Sequence, residues 1–315
     1  MKLNPEPKPV LALCLNPAWQ KTLIFRKVNH GEVNRALEAK QCGGGKGVNV
    51  VRVFRMLGLP IALAGFAGGD TGAKLKEEIT GSGAISLIVE TAVATRCCTT
   101  VISQENSEVT ELIEPSGAVS EAEQRSLLQI IQEQMSQFGA VVCSGTVPPG
   151  VTPDFYASVA EAASKAGIPL VLDAVNQIAP TLEAGVSLLK INASELRQIA
   201  KRESLAEAAA TLLGDFSRLN ALAVTDGADP AWLFTRHGTH KITIPRLPRI
   251  VSAIGGGDCT TAIVTRRLAE GVSPMELPDA FAEALACASA SCLTDTPSLF
   301  DPKEAEKILG DITIL

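Results

Sequence analysis

The 315-residue sequence predicts an α/β protein: a three-layer α/β/α sandwich around a mostly parallel sheet, carrying a small β-sheet lid. Three observations predict it. Short, near-continuously apolar runs recur along the chain, stretches with helical spacing separate them, and two polar-alternating segments break the rhythm. No linker rich in Pro, Gly or Ser and no internal repeat divides the chain, so residues 1–315 read as a single domain.

The apolar runs are Val10–Leu15, Ile61–Phe66, Ala140–Cys143, Leu170–Leu172, Leu188–Ile191 and Ala221–Val224. Continuous apolarity marks strands covered on both faces, as in a parallel sheet. Between them, Val48–Leu57, Ala122–Phe138, Pro153–Ala166 and Leu205–Leu213 repeat their apolar residues at helical spacing. Strand and helix in alternation place helices on both faces of that sheet. The segments 22–41 and 95–114 contain TLIFRKV, CTTVIS and VTELIE with no helix between them. They predict half-exposed antiparallel strands, the lid.

Composition narrows the classes of function. A net charge of −6 with no long Lys/Arg run disfavours nucleic acid as a partner. No apolar run reaches the ~18 residues of a membrane span. The opening MKLNPEPKPV has prolines where a secretory leader needs an apolar core. The eight cysteines lie mostly within apolar runs, without a C-x-x-C pair, and read as buried reduced thiols of a cytoplasmic protein.

Two glycine clusters stand out. In QCGGGKGVNVVRVFRMLG, Gly43, Gly44, Gly45 and Gly47 surround Lys46 just before a helix. Residue 40 is Lys and residue 47 is Gly, so the P-loop pattern fails, and no G-x-G-x-x-G occurs anywhere. Free amides and an ammonium at a helix start still make an anion cradle; a tight turn explains the cluster equally well. In IVSAIGGGDCTT, Gly255, Gly256 and Gly257 precede Asp258, with a helix expected to begin near Cys259. The amides suit negative charge developing on a transferred group, and Asp258 suits proton removal from a hydroxyl. Asp258 is also a good helix cap, which is the simpler reading of this motif alone. Two anion cradles in one α/β chain point to phosphoryl transfer, which needs sites for donor and acceptor.

Taken together, the motifs resemble the ribokinase-like carbohydrate kinases, within them the hexose-phosphate branch of 1-phosphofructokinase and tagatose-6-phosphate kinase. LNPAWQKT (Leu15–Thr22), GEVNR (Gly31–Arg35) and GGKGVNVVRVFRMLG (Gly44–Gly58) carry the first part of the likeness. ATRCC (Ala94–Cys98), TELIEPSG (Thr110–Gly117), SGTVPPGV (Ser144–Val151), the N-x-x-E in LKINASEL (Leu189–Leu196) and SAIGGGDC (Ser252–Cys259) follow in order. The resemblance implies Asp258 as base and the Gly255–Gly257 amides as anion hole. It implies Lys46, Arg35 and Arg96 on the substrate's phosphate, a charge match. Asn49, the Gly44–Gly45 backbone and Thr146 would then orient the sugar. Lys190, Thr225 and Gly227 would border the ATP phosphates, and Asn192 with Glu195 would organise Mg²⁺ through water. The implied acceptor is a ketohexose monophosphate, fructose 1-phosphate first, with tagatose 6-phosphate and fructose 6-phosphate as alternatives. The resemblance also implies a homodimer formed through the lid.

Four departures qualify the likeness. Gln20 stands where the branch normally has a sugar-binding aspartate, which motivates a rival reading as a non-catalytic sugar-phosphate sensor. Gly256 replaces a small residue between the signature glycines, Asp173 in LDAVNQIAP lacks the usual Ser-Gly after it, and Pro230 in TDGADPAWLF replaces a commoner glycine.

Overall fold

The computed structural model describes residues 7–106 and 108–315. The segment Met1–Glu6, which holds most of the opening discounted as a leader, lies outside the described residues. The chain begins with β1 (Val10–Cys14), β2 (Ala18–Phe25), β3 (Glu38–Gly44), α1 (Lys46–Met56), β4 (Ile61–Ala67) and α2 (Gly69–Gly81). It continues through β5 (Ile85–Glu90), β6 (Cys97–Ser103), β7 (Glu108–Ile113), α3 (Glu121–Gln134), β8 (Ala140–Ser144) and α4 (Asp154–Lys165). Then follow β9 (Leu170–Asp173), α5 (Ala179–Ala184), β10 (Leu188–Asn192), α6 (Ala193–Ala200), α7 (Leu205–Asp215) and β11 (Ala221–Asp226). The chain closes with β12 (Asp229–Thr235), β13 (Thr239–Thr243), α8 (Gly256–Ala269), α9 (Leu277–Ser291), α10 (Pro302–Gly310) and β14 (Thr313–Ile314).

The main sheet has ten strands in the order β14-β13-β12-β11-β10-β9-β8-β1-β4-β5. From β11 to β5 every neighbouring pair is parallel, and β12, β13 and β14 add an antiparallel edge. Alternate residues of one strand feed two separate cores. Val10 and Ala12 of β1 pack with α1, α8 and α9, whereas Leu11 and Leu13 pack with α3 and α4 on the opposite face. Burial on both faces is why these strands show no polar alternation.

Successive strands move outward from β1 to β4 and β5, then return to β8 and proceed the other way. The order therefore reverses between β1 and β8, and a cleft opens at the carboxyl ends of strands flanking such a switch point. The four-stranded lid, in the order β3-β2-β6-β7, stands over that edge.

The expected antiparallel lid is corrected at its centre, where β2 and β6 pair in parallel, Trp19 opposite Cys97. The reason is topological. β2 follows β1 and β6 follows β5, so both leave the carboxyl edge of the parallel sheet in one direction. Only the outer strands, β3 against β2 and β7 against β6, are antiparallel.

All eight cysteines are free. Burial pushes two of these thiols up, Cys14 to about 11 and Cys287 to about 12, so both stay protonated at neutral pH.

Candidate active site

A cavity of about 880 Å³ lies at the switch point, lined by Asn16 after β1, Lys46, Arg96, Ser144 and Thr146 of the β8 end, Asp173 and Glu195. Lys46 is the first residue of α1, so its ammonium and the positive end of that helix act together.

Asp173 ends β9 and is 2% exposed. Its Oδ1 lies 2.8 Å from Lys46 Nζ, its Oδ2 lies 3.7 Å from Lys190 Nζ, and Oδ2 also accepts from Thr261 Oγ1 at 2.8 Å. Burial works to raise its pKa, but Lys190, Lys46 and the Thr261 hydroxyl together hold it below the usual carboxylate value. One buried anion thus sits between the lysine implied for the sugar phosphate and the lysine implied for ATP.

Asp258 lies in the first turn of α8, and its cap reading is corrected. The helix starts at Gly256, three residues before the expected Cys259, with Gly255 as the N-cap and no side chain capping it. Gly255 makes the early start feasible: its φ of 84° is left-handed, and a Cβ there would lie 2.5 Å from Ser298 Oγ. Asp258 is 7% exposed, and its Oδ2 accepts a 2.7 Å hydrogen bond from Asn49 Nδ2. Burial first, and the Asp173 charge second, push it up to about 6, against the pull of Asn49, Lys46 and Lys190.

Lys190, on β10, reaches the same loop, and a Cβ built on Gly257 would fall 2.7 Å from its Nζ. A Cβ on Gly256 meets nothing closer than 3.7 Å. Gly257→Ala is therefore expected to push the ammonium away and lower kcat about 10- to 100-fold without unfolding. Gly256→Ala is expected to stabilise by about 0.5–1 kcal/mol, with turnover retained. Steady-state kinetics beside thermal melts check both.

The remaining expected residues divide. Thr146 lines the cavity and accepts from Asn16 Nδ2 at 3.1 Å, and Gly45 lines it beside Lys46. Arg96 also lines it, one Nη donating to the Asn16 carbonyl at 3.3 Å while its buried Nε has no partner. Asn192 and Glu195 form a reciprocal capping box at the start of α6. Thr225, opposite Asn192 in the register, and Gly227 in the turn after β11 stand at the neighbouring strand end.

Three placements differ from expectation. Arg35 stands apart on the exposed connection between β2 and β3, outside the cavity and bonded to none of the others, because that connection projects beyond the lid sheet. Asn49 does not face open space: its Nδ2 serves Asp258 and its Oδ1 accepts from Arg52. Gln20 lies on β2 outside the cavity lining, beside Gly44, and spends a donor on Thr100 Oγ1 at 2.6 Å, a bond an ionised aspartate cannot donate. Sequence reasoning alone does not reach Asn16 and Asp173 as site residues. Asn16 lies in the LNPA motif and Asp173 ends an apolar strand, which were the available signals.

A buried carboxylate at a helix start, two lysines across a second carboxylate and an arginine thus gather at the switch-point cleft of a ribokinase-like fold. The chain belongs to the pfkB family of carbohydrate kinases, whose pattern, described as "pfkB family carbohydrate kinase", matches residues 9–303. The ATP-dependent 6-phosphofructokinase isozyme 2 of Mycobacterium tuberculosis (strain ATCC 25618 / H37Rv) is 32% identical over 274 residues, 85% of this chain and 80% of the relative. Phosphofructokinase-2 of Escherichia coli superposes with a TM-score of 0.87 at 24% identity, covering 96% of this chain and 99% of its own. Arabidopsis thaliana ribokinase superposes at 0.73 with 21% identity, covering 96% and 98%.

Proposed function

We propose that the protein transfers the γ-phosphoryl group of ATP to a ketohexose monophosphate, fructose 1-phosphate first. The observation that carries the proposal is Asp258, a buried carboxylate with a pKa near 6 at the start of α8, where the missing Cβ of Gly257 leaves room for the Lys190 ammonium. Asp258 takes the proton from the acceptor hydroxyl. The hydroxyl oxygen bonds to the γ-phosphorus as its bond to the β–γ bridging oxygen breaks, and ADP leaves. The free N–H groups at the start of α8 and the Lys190 ammonium meet the charge on the phosphoryl oxygens in flight.

Arg96 and Lys46 hold the substrate's own phosphate, with Asn16 and Thr146 beside the sugar. The nucleotide lies along the ends of β10 and β11, by Asn192, Thr225 and Gly227. Magnesium suits this donor set. Glu195 offers one carboxylate, and among the described residues no group of three or more His, Cys, Asp or Glu side chains forms a cage. Glu195 would hold the ion through water, and the ion would neutralise charge on the nucleotide phosphates; a single carboxylate suits Mg²⁺, which loses its waters reluctantly.

The test is ADP release from ATP and Mg²⁺ with fructose 1-phosphate, fructose 6-phosphate and tagatose 6-phosphate in parallel. Fructose 1-phosphate is expected to give the highest kcat/KM. The relative at 32% identity is a 6-phosphofructokinase, so preference for fructose 6-phosphate is the outcome that corrects the substrate. Gln20→Asp is expected to lower the KM for the preferred sugar, and an unchanged or higher KM sinks that role. Binding of all three without ADP release supports the sensor.

A second copy of this chain is the proposed partner of the lid, whose outer strand exposes Val109, Leu112 and Ile113. Among the described residues, no helix is long and apolar enough to cross a membrane.

A further inference from the structure

Behind Asp258 lies a chain of side-chain contacts among residues that do not themselves line the cavity, Asn49, Arg52, Gly43 and Glu78. Asn49 and Arg52 are one turn apart on α1 and face each other, Arg52 Nη1 donating to Asn49 Oδ1 at 2.7 Å. Arg52 Nη2 donates to the Gly43 carbonyl, at the base of lid strand β3, and lies 3.2 Å from Glu78 Oε1 on α2. Glu78 Oε2 in turn accepts from the Gly43 N–H at 2.6 Å. The Arg52 side chain is 17% exposed, so these contacts form largely out of water.

We propose that Arg52 is a positioning residue: it fixes the Asn49 amide so that Nδ2 faces Asp258, and it ties that orientation to the lid through Gly43. The argument is one of donors and acceptors. A side-chain amide can present either its oxygen or its nitrogen to a neighbour, and an oxygen toward Asp258 would repel the carboxylate. A guanidinium has donors only, so of the two ends of the Asn49 amide only the oxygen can face Arg52. The nitrogen is thereby committed to Asp258 Oδ2. Glu78 and the Gly43 carbonyl hold the guanidinium in the plane that does this, a fork geometry an ammonium cannot copy.

Other charges also face Asp258, namely Asp173 from β9, Lys46 from α1 and Lys190 from β10. None of them contacts Arg52 through a hydrogen bond or ion pair, so the relay can be cut without touching them. This inference rests on the kinase reading for the importance of Asp258, while the contacts stand without it.

The test compares wild type, Arg52→Met and Arg52→Lys, each checked by thermal melting. Two readouts are taken: steady-state kinetics, and NMR titration of ¹³C-carboxyl aspartate, with the Asp258 signal identified by its loss in Asp258→Asn. In Arg52→Met, kcat is expected to fall about 10- to 100-fold with KM within about twofold of wild type. The Asp258 midpoint is expected to move up, since it loses a donor to its charged form. Arg52→Lys restores one donor and is expected to lie between the two. It also carries the test if Arg52→Met does not fold. An unchanged midpoint and unchanged kcat in the folded variants would overturn the proposal. If wild type turns over none of the sugars, the kinase reading fails, and the NMR midpoint alone decides the relay.

Discussion

Asp258→Asn is expected to raise the melting temperature while abolishing turnover. Asp258 titrates near 6 in the native protein, against an ordinary value of 3.8. Between these values the native state keeps a proton that the unfolded chain has already released, so stability falls as pH rises across that window. Above about pH 6 the buried charge is fully formed, and the two values differ by the equivalent of about 3 kcal/mol. Asparagine carries no charge and still offers an oxygen to Asn49. At pH 7 the variant should therefore gain about 1–3 kcal/mol, less whatever its new amide donors leave unsatisfied. Loss of a general base costs about 10²- to 10⁴-fold in kcat. The wild-type kcat/KM should fall as pH drops through about 6, where the carboxylate takes up its proton. Thermal melts at pH 5 and pH 8 check the stability half: about half of the ionisation cost is already present at pH 5, so the gain should be larger at pH 8 by about 1–1.5 kcal/mol. An equal gain at both sinks the assignment of the cost to ionisation.

Asp173→Asn is expected to act in the opposite sense. Its carboxylate lies between Lys46 and Lys190, and only the Lys46 end keeps substantial contact with water. Removing one partner of a buried charge pair costs about 3–5 kcal/mol, and the solvated Lys46 places this case at the low end. The native carboxyl is held below its ordinary value, so its contribution is present above the ordinary value and is lost as pH falls toward the native one. The variant should thus be less stable at pH 7, with a difference that shrinks in acid. The same substitution removes the negative charge that helps push Asp258 up, so the acid limb of kcat/KM should move to lower pH. Urea unfolding at pH 7 together with a pH–rate profile reads both. Unaltered stability would mean that the two lysines do not depend on this anion.

What the sequence made legible follows from how each element is buried. β1, β4, β8, β9, β10 and β11 are apolar on both faces, so each stands out as a run. The edge strand β5, half-exposed along its length, offers no such signal. Helix α9 gives no helical signal for the opposite reason: LPDAFAEALACASAS is small and apolar nearly all round, because α8 and α10 cover it. The glycine motifs marked Lys46 and Asp258 because backbone conformation leaves a local trace. Asp173 and Asn16 act through partners 127 and 130 residues away, and no local pattern reports such a partner. Asn49 shows the limit of motif reading, since its position in the motif was visible and the direction of its amide was not.

The parallel pair at the centre of the lid has a consequence for how the protein acquires its structure. Trp19 pairs with Cys97 across most of the first third of the chain, and β3, α1, β4, α2 and β5 lie between the two strands. No hairpin can nucleate that pairing, and its loop-closure entropy is offset only once β1, β4 and β5 have brought the two exits together. The lid is therefore not an appendage that folds by itself and then docks. It is the seam where two separate excursions meet, and its central pair depends on both of them.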